Sequence, residues 1–371
     1  MNEYLQADIS TGAIRHNIDL IRNLLAEDVR LCPVVKANAY GHGIEQVLGV
    51  LGDAADMLAV ATGAEAMELR GLGWQGPVMV FITAAALDTG SLAELITTGA
   101  TLTISSIDEI TLLTEAVRNA HRPAEVFIKL DTGLTRNGVT PDKAASLVSA
   151  ARESESIRLA GLYTHFARPD ASDKPFTIGQ FDNFIKAVDE CGGRSGLVLH
   201  AANSAATIDL PRTHLDMVRT GISLYGCQPT EDLDNILPLK PALRLTSRIV
   251  LVKDVPAGSA TGYGSTYTFP RAARVALVPV GYADGYPRSL SNIASMGVRE
   301  IDCPVRGRIS MDQTIIEITD VPKAAVGDEV EIISADPAAS NSVANLARLA
   351  GTIPYEILAR LGRRIKRVVV D

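Results

Sequence analysis

The chain has 371 residues, 47% of them hydrophobic and 21% charged, which is too long for one ordinary core and leaves no case for disorder. A formal net charge of -8 offers no basic footprint, so no nucleic-acid partner is expected. No apolar run approaches membrane-spanning length and the opening MNEYLQADIS lacks a targeting pattern, so neither membrane insertion nor secretion is expected.

The first helical period is Ile14, Ile18, Ile21 and Leu25. Leu31 to Val35 then predicts a short buried strand that ends at Lys36, within VVKANAYGHG. Gly41 and Gly43 punctuate the chain before Ile44, Val47, Leu48 and Leu51 resume helical spacing. An ammonium at such a junction is costly to bury, and desolvation lowers a lysine pKa, which suits an amine that forms imines. A lysine snorkelling from a strand end has the same local pattern.

Further apolar runs follow at Met57 to Ala61, Val78 to Ile82, Thr101 to Ser105, Val126 to Leu130, Leu159 to Thr164, Leu197 to His200 and Met217 to Leu224. With the first they make eight candidate strands, separated by helical stretches such as Leu147, Val148 and Ala151. The fold class is therefore α/β, with an N-terminal (β/α)8 TIM-like barrel over residues 1–232. An open doubly wound sheet is the competing architecture. The barrel is preferred because Lys36, Lys129, His165, His200 and Arg219 follow five different strands, as barrel sites require.

After Asp232 the runs Leu245 to Val252, Val275 to Val280, Thr314 to Ile318, Val330 to Ile333 and Val368 to Val370 are separated by Gly, Pro and Asp turns. They predict a mostly-β C-terminal domain over 233–371, with short helices at Ser342 to Ala350 and from Pro354. Cys32, Cys191, Cys227 and Cys303 form neither a C-x-x-C pair nor a disulfide-dense framework. Reduced thiols and a cytoplasmic location are expected, with no metal site.

These motifs resemble those of the alanine racemases, pyridoxal-phosphate enzymes of fold-type III. VVKANAYGHG is similar to the family's cofactor-lysine motif, HAANS (His200 to Ser204) to its seventh-strand phosphate motif, and RTGISLYG (Arg219 to Gly226) to the motif whose arginine faces the pyridine nitrogen. By its sequence alone, HAANS is also an ordinary polar strand end with a helix cap. The family usually has proline where Thr220 stands. KLDTGLTRNG (Lys129 to Gly138) resembles the fifth-strand motif, with other residues common where Thr135 and Asn137 stand.

The resemblance implies pyridoxal 5'-phosphate held by Lys36, Tyr40, His165, Asn203, Ser204, Arg219, Gly221, Ile222 and Tyr355. It implies that Arg136, Met311 and Asp312 bind the substrate and that Lys129, His200, Tyr282 and Arg288 support the site, Lys129 being often carbamylated in the family. An arginine at the ring nitrogen keeps its proton, which weakens the electron sink and favours reprotonation at the α-carbon over transamination or decarboxylation.

Inverting a stereocentre needs a proton taken from one face and returned to the other. Lys36 serves one face. Tyr263, between two glycines in GYGSTYT, is the candidate for the other, although a turn tyrosine packed at a domain edge fits the same local sequence. In the family this tyrosine reaches the partner's site, implying a homodimer with shared active sites. GYADGYPR (Gly281 to Arg288) and GRISMDQ (Gly307 to Gln313) complete the resemblance, with Ser310 where relatives often have cysteine. The expected reaction is two-base racemisation of L- and D-alanine, the bulk of Tyr282, Met311 and Tyr355 suiting a small amino acid. The alternatives are a racemase of another small amino acid such as serine, a barrel-type amino-acid decarboxylase, and a non-catalytic carrier of the cofactor.

Overall fold

Short apolar strands, each followed by a helix that returns the chain to the same edge, can pair only in parallel. The computed structural model describes residues 4–171, 173–230, 232–233 and 236–371. Its eight barrel strands are Arg30–Pro33, Leu58–Val60, Val78–Thr83, Ala100–Ile104, Ala124–Lys129, Ile157–Tyr163, Val198–His200 and Met217–Thr220. The six from Leu58–Val60 to Val198–His200 form one continuous parallel sheet in chain order. Arg30–Pro33 pairs in parallel with Met217–Thr220, Leu31 opposite Val218. One seam is joined by a bridge between Val34 and Ala59. The other is joined by the amides of Asp216 and Arg219, which donate to the carbonyls of Leu199 and Ala202 at 3.0 Å each. The ring is closed.

The eighth strand stops earlier than its apolar run predicts. Residues Ile222–Tyr225 form a 3-10 turn instead, fully buried, and hydrophobicity alone cannot tell a buried strand from a buried turn.

The second module's main sheet runs in the order Ile301–Pro304, Ser295–Val298, Glu329–Ile333, Leu243–Arg248, Gln6–Ser10, Lys366–Val370. Two findings depart from the reading of spacing. The stretch Leu245 to Val252 is two strands, because after Arg248 the chain leaves this sheet and Leu251–Val255 pairs with Ala273–Val278 in another. Gln6–Ser10, placed by spacing in a barrel domain 1–232, lies in this second sheet, antiparallel to Leu243–Arg248 and parallel to Lys366–Val370. Ala7 and Ile9 are buried between polar neighbours, and a strand this short finds its cover only between two strands distant in sequence.

One apolar cluster runs through the barrel and the main sheet. The helix Pro354–Ala359 presses on the turn after Lys36 so closely that a Cβ on Gly41 would stand 2.0 Å from the Leu358 carbonyl oxygen. Gly41 has φ 78°, and its own carbonyl accepts from Arg367 Nε at 2.8 Å. The second module therefore abuts the mouth of the barrel.

Candidate active site

The strand that opens the barrel ends at Pro33, and three residues later Lys36 enters a left-handed turn. Ala37, Asn38, Ala39 and Tyr40 all have φ between 52° and 55°. At roughly 1–2 kcal/mol for each non-glycine residue, the turn stores on the order of 4–8 kcal/mol. Specific bonds hold it. The amide of Ala37 donates to Glu65 Oε1 at 2.7 Å, that of Ile44 to Asn38 Oδ1 at 2.8 Å, and that of Gly41 to the Ala37 carbonyl at 3.0 Å. His42 lies wholly buried with Nδ1 at 3.0 Å from the Tyr40 carbonyl and stacks on Tyr225.

Strand ends gather cations around this turn. Burial, then the charge of Arg136, lowers the Lys36 pKa, with Glu65 opposing. Burial, then Arg136 and Arg219, lowers Lys129 to about 8. Lys129 Nζ donates to Asn137 Oδ1 and lies 5.8 Å from the centroid of the Tyr163 ring. Arg136 itself is exposed. Arg219 is buried, and burial brings it down to about 10. Its Nη1 donates to His200 Nδ1 at 2.6 Å, and its Nη2 to the carbonyls of Thr164 at 2.8 Å and Ala201 at 3.1 Å. A guanidinium can only donate, so His200 Nδ1 is unprotonated and its proton sits on Nε2. Burial first, then the Arg219 charge, holds both His200 and His165 well below the usual imidazole range. The His200 ring lies parallel to Tyr163, with centroids 4.9 Å apart.

Beside this cluster is a cradle of hydroxyls and backbone. Ser204 Oγ accepts from the Gly221 amide at 2.9 Å, and Asn203 Oδ1 caps the short helix Ser204–Asp209 through Ala206 N. A Cβ on Gly221 would stand 2.5 Å from the Tyr40 hydroxyl, so only glycine admits that approach. Ile222 follows, fully buried. Tyr40 packs against Tyr225 at 5.1 Å and against Tyr355, from the second module, at 6.0 Å. Burial raises the hydroxyl pKa of both Tyr40 and Tyr355, which keeps them proton donors at neutral pH.

Within one chain the remaining expected residues stay apart from this cluster. Tyr263 is 71% exposed at the tip of a hairpin made by Ala260–Thr261 and Tyr267–Thr268. Gly262 and Gly264, both with φ 74°, frame it, and a Cβ on Gly262 would meet Arg308 N at 2.7 Å. Tyr282 and Met311 are also exposed, and their loops are tied by Tyr282 N to the Ser310 carbonyl at 3.2 Å and Ala283 N to the Met311 carbonyl at 3.0 Å. Arg288 is exposed in the same region, and Asp312 accepts from Arg364 at 2.7 Å. Lys36 feels the charges of Arg136 and Glu65, and no described hydrogen bond or charge contact links it to Tyr263.

Two family models match, the alanine racemase N-terminal domain over residues 9–229 and the alanine racemase C-terminal domain over residues 242–369. The chain belongs to the alanine racemase family. The alanine racemase of Desulfovibrio desulfuricans is 39% identical over 98% of both chains, and that of Halothermothrix orenii 39% identical over 97% of this chain and 95% of its own. Among solved structures, alanine racemase from Streptomyces lavendulae superposes with a TM-score of 0.93 at 36% identity, covering 100% of this chain and 98% of its own. That of Clostridium difficile 630 gives 0.93 at 34% identity, covering 100% and 96%. The same Clostridium protein has been solved in complex with cycloserine.

Thr220 is buried at the end of the eighth strand, next to Arg219, and Asn137 gives Lys129 an amide partner. Motif reading missed Glu65, although the Thr62–Glu65 spacing is that of a helix capping box, which the structure contains. It also missed Tyr163 and Phe81; the Phe81 ring lies 5.9 Å from Lys36 Nζ, and nothing in an apolar strand marks which ring faces a site.

Proposed function

We propose that this protein interconverts L- and D-alanine with pyridoxal 5'-phosphate, by two bases on opposite faces of the amino acid. The residues present fit that group. Lys36 offers an amine of lowered pKa, while Ser204, the Gly221 backbone, Tyr40 and Tyr355 offer a donor-rich cradle for a phosphate, with Asn203 and Ile222 shaping it. When bound, pyridoxal phosphate withdraws electrons from the α-carbon of an amino acid and so acidifies its α-hydrogen. His165 would lie against the ring, and Arg219 would donate to the ring nitrogen while keeping its own proton.

Lys36 Nζ exchanges the α-proton on the D-side, and Tyr263 Oη, brought by a second copy of the chain, exchanges it on the L-side. Arg136, with Met311 and Asp312 of that second copy, binds the substrate. Tyr282 and Arg288 narrow the entry, Lys129 supports Arg136, and His200 orients Arg219. The exposed patch of Tyr263, Tyr282 and Met311 supports a homodimer with shared sites, since large side chains otherwise stay in water there. We take the barrel and β modules to divide near residues 232 and 233, Gln6–Ser10 returning to the β module. The four cysteines are buried and unpaired, in keeping with a cytoplasmic protein.

One observation carries the reading. Arg219 is buried against His200, backbone carbonyls and a ring, and among the described residues no carboxylate hydrogen-bonds to it. A decarboxylase of this architecture would be expected to place a carboxylate at that position.

The test is incubation with L-alanine and, separately, L-serine in deuterated water, following chirality and α-deuterium. Conversion of L-alanine to D-alanine with α-deuterium supports the reading. Loss of carbon dioxide, or faster turnover of serine than of alanine, overturns it.

A further inference from the structure

Backbone pairing between the first and second barrel strands ends at Val35, whose amide donates to the Ala59 carbonyl at 2.9 Å. One residue after Lys36 the chain turns left-handed, and its first strained residue, Ala37, has no strand left to bond to. A side chain continues the seam instead. Glu65 Oε1 accepts from Ala37 N at 2.7 Å, while Oε2 accepts from Ala61 N at 2.8 Å and Thr62 N at 3.1 Å. One carboxylate thus joins the end of the second strand to the residue after the lysine. We propose that Glu65 is a positioning residue for Lys36, anchoring the strained turn behind it and bringing a carboxylate to the backbone of the very next residue.

This inference rests on reading Lys36 as the reacting amine. Arg136 and Lys129 face Lys36 as basic groups from the fifth strand end and its loop, His165 faces it from the sixth as a neutral ring, and Glu65 is the carboxylate that opposes the charge of Arg136. Without it the amine would lose its proton at lower pH, and the turn would lose its first bond.

The test uses the full-length protein freed of cofactor. Trace reductive methylation across a pH series, read by mass spectrometry of the Lys36 peptide, gives the titration midpoint of that one amine. Glu65→Gln should move the midpoint down by about 0.5 in pH or more, because a neutral amide no longer holds the ammonium form. Thr62→Ala removes the other half of the helix cap and should leave the midpoint in place, and Glu65→Asp, which keeps the charge, should leave it near that of the parent. An unchanged midpoint in Glu65→Gln, or an equal displacement in Thr62→Ala, overturns the proposal. Should Glu65→Gln not fold, amide exchange at Ala37 decides: roughly tenfold faster in Glu65→Asp but not in Thr62→Ala supports the anchor, and equal rates overturn it. A displaced midpoint in a protein that racemises no amino acid would leave Glu65's role standing and sink the functional reading instead.

Discussion

The guanidinium of Arg219 donates to His200 Nδ1 at 2.6 Å, and the His200 ring lies parallel to that of Tyr163, their centroids 4.9 Å apart. Among the described residues no carboxylate hydrogen-bonds to this buried cation, and the histidine that holds it binds a proton far more weakly than the guanidinium does. Arg219→Lys keeps the charge but loses the fork that reaches His200, Thr164 and Ala201 together. The expected result is a fall in kcat of roughly 10²-fold, the usual cost of losing one preorganised donor. Chiral chromatography of the alanine product checks it, and a variant within threefold of the parent would count against the assignment.

Tyr263→Phe removes a hydroxyl that one chain leaves in solvent, so the variant should fold with an unchanged Tm. Racemisation should drop by roughly 10²–10⁴-fold, as for loss of a general acid–base group. Exchange of the α-hydrogen of D-alanine with deuterated water should persist, because Lys36 serves that side alone. Equal loss of exchange for both enantiomers would remove Tyr263 from its role.

Gly221→Ala places a methyl 2.5 Å from the Tyr40 hydroxyl, closer than the two can stand. Either Tyr40 shifts or the backbone does, and the cradle opens in both cases. Affinity for pyridoxal phosphate, read by absorbance titration, should weaken by about tenfold or more, equivalent to about 1.4 kcal/mol. Unchanged affinity would move the phosphate elsewhere.

Lys129 gives a pH dependence of stability whose sign is determined. Its pKa falls from the unfolded range near 10.5 to about 8 in the fold, burial being the largest cause. The unfolded chain therefore holds the proton more tightly between those values, and stability rises with pH through that window. Below about 8 the buried ammonium is a constant cost, on the order of 1–3 kcal/mol. Lys129→Met should accordingly raise the Tm of the cofactor-free protein at neutral pH and flatten its rise toward pH 10. Thermal unfolding across pH checks both; a lower Tm at every pH would show that the bond to Asn137 outweighs the burial.

Much of this was legible in the chain because its signals are local. Lys36 at a strand end, Arg219 in the eighth strand and the glycine pair around Tyr263 are marked by their immediate neighbours. Glu65 was less visible, since a capping-box glutamate usually serves only its own helix. Here its second oxygen reaches Ala37, 28 residues away. The break after Arg248 was hidden because an apolar run is equally compatible with one long strand or with two that change sheets.

By itself the sequence determined the alternation of strand and helix and the residue types at the strand ends, because periodic burial acts over a few residues and needs no partner, whereas closure of the ring waited on the pairing of Arg30–Pro33 with Met217–Thr220. Tertiary structure alone decided that Gln6–Ser10 leaves the barrel for a sheet built from chain more than two hundred residues on. It alone decided that four residues after Lys36 turn left-handed, a conformation that none of them prefers and that contacts from Glu65, Asn38 and the Pro354–Ala359 helix sustain. Such strain persists only where distant groups outweigh local preference, and local preference is what a sequence displays.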